Sequence, residues 1–352
     1  MRKFLLSIIT LLFIMSSYIF AMYGNSEDWI DFLTDGNQLR ARMDQFGFVL
    51  GNETVKGTFG FRTDIGYLSS ILSSSLNNIK LDSTLSAAVG YTSPDFSIGL
   101  GYNFTYMYND LQVHTPVLTI NALNDNLRIA IPIQAAVFDT DQLGAYTGVS
   151  TSAQIRYYTG ADSINALRLY INYGYNSFKN MFLAQSLGFE FRLYFLNSQI
   201  NNVNINPFIK VQYNTALGSE GKSVASTHVL SSSIMYYRDK IFDIVKYDYN
   251  MYDITITPVL SLAANGDIVS LYFEPSIGYK IAGTGYKNQL VEYYLVWGAY
   301  AEMYVHPVQD LEWYFEMDIN NNSPADNIIP IYFETTTGIT WYLPSLGGDT
   351  AQ

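Results

Sequence analysis

The chain has 352 residues, a formal charge of −12 and no cysteine. These facts exclude disulfides and thiolate metal sites, and the acidic balance speaks against a phosphate backbone as partner. Only 14% of residues are charged while 16% are aromatic, 30 of them tyrosine. A soluble surface carries about 25% charge, whereas a lipid-facing barrel needs little and seats tyrosine at its two interfaces.

Residues 1–21 read as a signal peptide: Arg2 and Lys3, an apolar run from Phe4 to Phe20, then the small Ala21. Its removal would take two cations and move the charge to −14. No later window offers the ~18 apolar residues of a spanning helix. Residues 22–36 form a lead-in. Within it, 26–33 reads either as a short helix, with Trp29, Phe32 and Leu33 as its apolar stripe, or as an unstructured approach.

From residue 37 to 343 the pattern is strict alternation, the mark of strands with two unlike faces. The clearest case starts at Phe96. Ile98, Leu100, Tyr102, Phe104, Tyr106 and Tyr108 share its face, while Ser97, Gly99, Gly101, Asn103 and Thr105 take the other. That places Ile98 toward lipid and Asn103 toward a lumen, where added charge should be tolerated. Gly99 and Gly101 make a G-x-G inside a strand, which reads as relief of crowding on the inner wall rather than a nucleotide loop. Apolar series recur at 79–91, 167–175, 187–195, 269–281, 291–305, 311–319 and 329–341. Several exceed the ~5–6 residues of an ordinary strand and the ~9–11 that cross a bilayer at a tilt. The expected fold is an all-β, transmembrane antiparallel barrel of roughly 14–16 strands, whose closure removes sheet edges.

Charges fall on the polar parity of these segments, which makes Arg168, Glu190, Arg192, Lys210, Glu274, Lys280, Glu292, Glu302, Glu312, Glu316, Asp318 and Glu334 candidate pore-lining residues. Their carboxylates crowd the last third of the chain, so an open lumen would favour cations. Internal salt bridges in a narrow barrel would produce the same parity. Turn chemistry separates the strands. Short connections lie at Gly51, Thr92, Thr159 and Ala263; longer polar ones lie at 64–78, 176–186, 214–226, 239–250, 282–289 and 320–327. The stretch 215–226 has glycines at 218 and 221 and no apolar period, so it reads as an exposed loop open to trypsin at Lys222.

His114, His228 and His306 stand singly, without metal-ligand spacing, and no nucleophile elbow or phosphate loop occurs. No cofactor and no enzymatic activity are expected. Residues 22–62, MYGNSEDWIDFLTDGNQLRARMDQFGFVLGNETVKGTFGFR, resemble the variable surface protein family of intestinal spirochaetes, as do the length and the tyrosine-rich strands that follow. The resemblance implies an abundant outer-membrane antigen, exposed on the cell surface and made in related copies. It also implies assembly into homo-oligomers or complexes with related surface proteins, with the host surface as a further partner. It brings no catalytic residues. The polar tail 344–352 departs from the usual terminal aromatic and places any assembly signal near Trp341–Leu343. Two functions remain: passage of small solutes, or host adhesion through the loops of a closed barrel.

Overall fold

The computed structural model describes residues 23, 28–42, 45–63, 83–107, 111–140, 144–179, 182–226, 229–234, 244–308, 310–321 and 331–343; the signal segment and the polar tail lie outside them. The strands are β1 (Gln38–Arg42), β2 (Gln45–Gly51), β3 (Val55–Thr63), β4 (Ser83–Tyr91), β5 (Phe96–Met107), β6 (Leu111–Ala122), β7 (Leu127–Thr140), β8 (Gly144–Ala161), β9 (Ile164–Phe178) and β10 (Phe182–Phe195). Then come β11 (Ser198–Ile200), β12 (Val203–Ile205), β13 (Phe208–Ala216), the small ribbon β14 (Ser223–Ala225) with β15 (Ile244–Lys246), β16 (Tyr252–Val259) and β17 (Leu262–Asn265). The last four are β18 (Val269–Tyr286), β19 (Gln289–Val308), β20 (Leu311–Asn320) and β21 (Tyr332–Leu343).

Every pairing is antiparallel, and β21 returns to β1, which closes a 16-strand barrel. β10 with β11, β12 with β13 and β16 with β17 each count as one strand, broken at a shared kink line where Phe195 N–H donates to the Pro207 carbonyl and Asn206 N–H to that of Ser261. The closing seam is short. It pairs Leu39 with Leu343, Arg40 with Tyr342, Ala41 with Trp341 and Arg42 with Thr340.

Because the side-chain period is two, register fixes which face each residue takes. The apolar parity points out: Leu100 is 64% exposed and pairs with Val89 and Leu118. The polar parity points in, where Ser97, Asn103, Thr119 and Gln154 are buried. Antiparallel pairing also sorts the connections. The turns at 51–55, 91–96, 161–164 and 265–269 share one end with the start of β1 and the end of β21 (the turn end). The connections 63–83, 216–252 and 320–332 share the other (the loop end). Two expected loops were drawn too long: β9 and β10 run through most of 176–186, and β18 runs to Tyr286 within 282–289. Asn176, Ser177 and Thr284 read as loop because they are polar, but they are strand residues.

Candidate functional site

The lumen is where polar side chains converge, and two chain segments fill part of it. From the turn end comes the lead-in. Among its described residues the helical part is one 3-10 turn, Asp28–Asp31; of the short helix considered over 26–33, residues 26 and 27 lie outside the described residues. Its apolar side chains nevertheless go inward: Trp29, Ile30, Phe32 and Leu33 are all buried. The wall has been hollowed to take them. A Cβ on Gly101 would stand 2.7 Å from the Trp29 ring, one on Gly99 3.0 Å from Phe32, and one on Gly90 2.5 Å from Leu33. The G-x-G of β5 is thus a seat for aromatic rings. Polar ties complete the docking. Asp31 accepts from Arg128 Nη1 at 2.8 Å and pairs with Arg156 Nη1 at 3.2 Å, while Lys56 Nζ donates to the Leu33 carbonyl at 2.8 Å. Asp35 takes a hydrogen bond from the Tyr23 hydroxyl, and its burial pushes its carboxyl above the ordinary range.

From the loop end, the connection between β13 and β16 folds inward. Val224 and Ala225 are fully buried, and Val229, Ile234 and Tyr247 join Val113, Tyr146, Phe178 and Phe182 in one apolar cluster. Glycine again makes room: a Cβ on Gly174 would lie 2.6 Å from the Ser231 carbonyl oxygen. Ser186 Oγ donates to that carbonyl at 2.6 Å and Asn176 Nδ2 to that of Ser233 at 3.0 Å. The stretch expected as an exposed loop over 215–226 is exposed over most of 217–223, while its ends belong to β13 and β14 and turn inward. Ala216, Val224 and Ala225 are buried while Leu217 is exposed, and the tip is held by Asn250 Oδ1, which accepts from Ser219 N–H at 2.9 Å and from Glu220 N–H at 3.2 Å. Lys222 is exposed but sits in this tied turn. Asn103 also differs from expectation. It faces inward, yet it is 3% exposed in a packed layer, so charge there would meet no water.

Both inserts pack mainly on the side built by β2–β10, and the loop insert reaches β13 through Ala216 and β18 through Tyr286. The opposite side stays open as a cavity of about 390 Å³, lined among others by Arg192, Lys210, Glu274, Lys280 and Asp318. A second cavity of about 660 Å³ continues toward the loop end past Glu292 and shares Asp253, Lys280 and Val296 with the first. Six of the candidate pore residues therefore line the open side. The rest face the lumen in held positions. Glu190 accepts from Arg192 Nε at 2.5 Å and from Gln212 Nε2 at 2.6 Å. The Tyr300 hydroxyl donates to Glu302 at 2.5 Å, Tyr272 to Glu274 and Tyr332 to Glu334. Glu312 lies 3.2 Å from His306 Nε2, and Glu316 lies 4.0 Å from Arg42. Arg168 stacks on the Tyr194 ring with its guanidinium carbon 4.7 Å from the ring centre.

The lumen is not acidic throughout. Register aligns Arg128 with Arg156, Arg156 with Arg168, Arg168 with Arg192, and Arg192 with Lys210. Five cations thus form one unbroken row across β7, β8, β9, β10 and β13. The carboxylates gather on β18–β21, where Glu302 opposes Glu316 and Asp318 opposes Glu334. Parity reading missed Arg128, Arg156, Arg40, Arg42, Lys56, Arg62 and Asp253. Their segments alternate too weakly or too briefly to stand out, although the same parity count would have found them. Among the three histidines, His114 lies on the outer face against Tyr102 and Phe104, and His228 lies outside the described residues. No cluster of metal-ligating side chains occurs among the described residues.

Solved structures with loose overall overlap are a bacterial polysaccharide outer membrane secretin and a loop-L8 deletion mutant of OmpT, an outer membrane protein of Vibrio cholerae. The first is 12% identical over 85% of this chain and 88% of that one, with a TM-score of 0.47. The second is 10% identical over 87% and 97%, with a TM-score of 0.37. Likeness at this level bears on neither solute nor mechanism, and no curated protein matches the chain. A closed barrel with an apolar outer band is a transmembrane form found in outer membranes. The model of the Serpulina hyodysenteriae variable surface protein family matches residues 2–342, nearly the whole chain, and the chain belongs to that family.

Proposed function

We propose that this outer-membrane barrel is a surface antigen that also passes small hydrophilic solutes along the open side of its lumen. The observation that carries the proposal is the pair of adjoining cavities beside β13–β20, the first polar and the second walled partly by Leu230 and Tyr247 of the loop insert, which neither insert fills. Water and small solutes follow polar walls, and the first cavity is lined by Arg192, Lys210 and Lys280 together with Asp253, Glu274 and Asp318. On this reading the loop end, with the longest connections, faces outward. Purified protein in planar bilayers should show discrete conductance steps, and Ser276→Trp, which narrows the first cavity, should shrink them. Folded protein that passes no current, or steps unchanged by Ser276→Trp, would reject solute passage. The second reading, a closed barrel acting as a host-directed adhesin through its loops, draws on the two inserts that fill the other half of the lumen.

A further inference from the structure

The row of five cations calls for an explanation, because like charges directly opposed across strands repel, with backbones only about 4.5–5.5 Å apart. At one end of the row the chain supplies its own answer. Asp31 bridges Arg128 and Arg156, one carboxylate oxygen to each. The next three positions repeat the geometry without a matching acid. Among the described residues, Arg168 and Lys210 have no carboxylate in ion-pair range, and Arg192 meets only Glu190, through Nε. Within the row three cations face one carboxylate; of the acids that share the cavity, Asp253 pairs with Lys280, Glu274 takes the Tyr272 hydroxyl and Asp318 the Asn320 amide.

The surroundings of this trio suit a ligand. Arg168 lies over Tyr194 and Arg192 over Tyr170, at 4.7 and 4.8 Å, so a ring supports each guanidinium plane, and Glu190 holds Arg192 in addition through Nε. Tyrosine hydroxyls, Tyr170 for Arg168 and Tyr194 for Arg192, take part of each fork, and a planar guanidinium has five N–H donors in all, which leaves others for a carboxylate. Arg192 and Lys210 line the open cavity with Gln212, Thr255 and Thr257 and with the acids Asp253, Glu274 and Asp318, while Arg168 stands beside the cavity as the cross-strand neighbour of Arg192.

We propose that Arg168, Arg192 and Lys210 form a carboxylate-binding station for small organic acids, a second grip beside the one that Asp31 fills from within the chain. The proposal deepens the porin-like reading and rests on it for its purpose, since a station on the lumen wall serves a solute in transit. Binding and conductance are nevertheless separate measurements.

The test is calorimetric titration of succinate into the full-length protein, folded in detergent at low salt. The expected result is saturable binding, weakened tenfold or more by Arg168→Met and by Lys210→Met, and unchanged by Glu302→Gln on the acidic wall. Folding of each variant is read from heat-modifiable gel mobility. If Arg168→Met fails to fold, Lys210→Met, which removes a side chain at the edge of an open cavity, decides alone. No succinate binding by the native chain, or undiminished binding by folded Lys210→Met, overturns the station. A barrel that binds succinate but passes no current rejects the porin-like reading and keeps the station. A barrel that conducts but binds none rejects the station alone.

Discussion

Leu100→Arg tests the assignment of faces at the point where the membrane should punish charge most. Leu100 lies four residues from Phe96 and four from Phe104 on the outer face of β5, and its cross-strand neighbours are Val89 and Leu118. At a rise of about 3.3 Å per residue and a tilt near 40°, Phe96 and Phe104 are each about 10 Å away along the bilayer normal; Tyr102 stands between Leu100 and Phe104 on the same face. An arginine stem does not cover that distance, so the charge cannot escape to either interface. The cost should therefore be the midplane value of about 2–4 kcal/mol, or roughly 30- to 1,000-fold in the folding equilibrium. Ser276→Arg is the control. Ser276 lines the first cavity and is two residues from Glu274 on the same inner face, so its cost should be near zero. Denaturant titration of protein refolded into lipid vesicles, followed by tryptophan fluorescence, measures both. Equal stabilities for the two variants would refute the assignment of inner and outer faces.

Three further outcomes follow from the inserts. Asp31→Asn leaves Arg128 and Arg156 without their shared carboxylate and should loosen the lead-in by about 1–2 kcal/mol, after allowance for solvent screening. Hydrogen exchange should then quicken at 28–35 and hold steady in β7 and β8. Gly101→Leu places side-chain atoms where Trp29 now stands, 2.7 Å from the built Cβ, and should expel the lead-in and raise conductance without unfolding the barrel. Trypsin should cut slowly after Lys222, and Asn250→Ala, which removes the acceptor holding Ser219 and Glu220, should speed that cut several-fold.

Local pattern was enough for the strands and their faces, since a period of two is visible within one segment. Phe96–Met107 reads correctly on both faces, and all twelve charged candidates point inward as their parity required. What parity cannot supply is register between strands. The alignment of Arg128, Arg156, Arg168, Arg192 and Lys210 depends on four successive pairings, each set by its own connection, so residues that look scattered along the chain form a row in space. The inserted loop was hidden for a different reason. Val224, Ala225, Val229 and Ile234 follow no period, and the space that receives them comes from glycines on distant strands, such as Gly174. The lead-in fell between these cases: its apolar residues were visible, but the glycine seat that holds them on β4 and β5 was not.

The four-pair seam between β1 and β21 also says something about how the protein is made. Residues 39–42 meet residues 340–343, so the contact that shuts the barrel has the greatest sequence separation of any pairing in it. Contacts of that kind form slowly and late. Until they form, two strand edges stay open to any other extended chain. The barrel therefore cannot close as it emerges from synthesis. Closure waits for the last strand, and until it is present β1 keeps one edge unpaired.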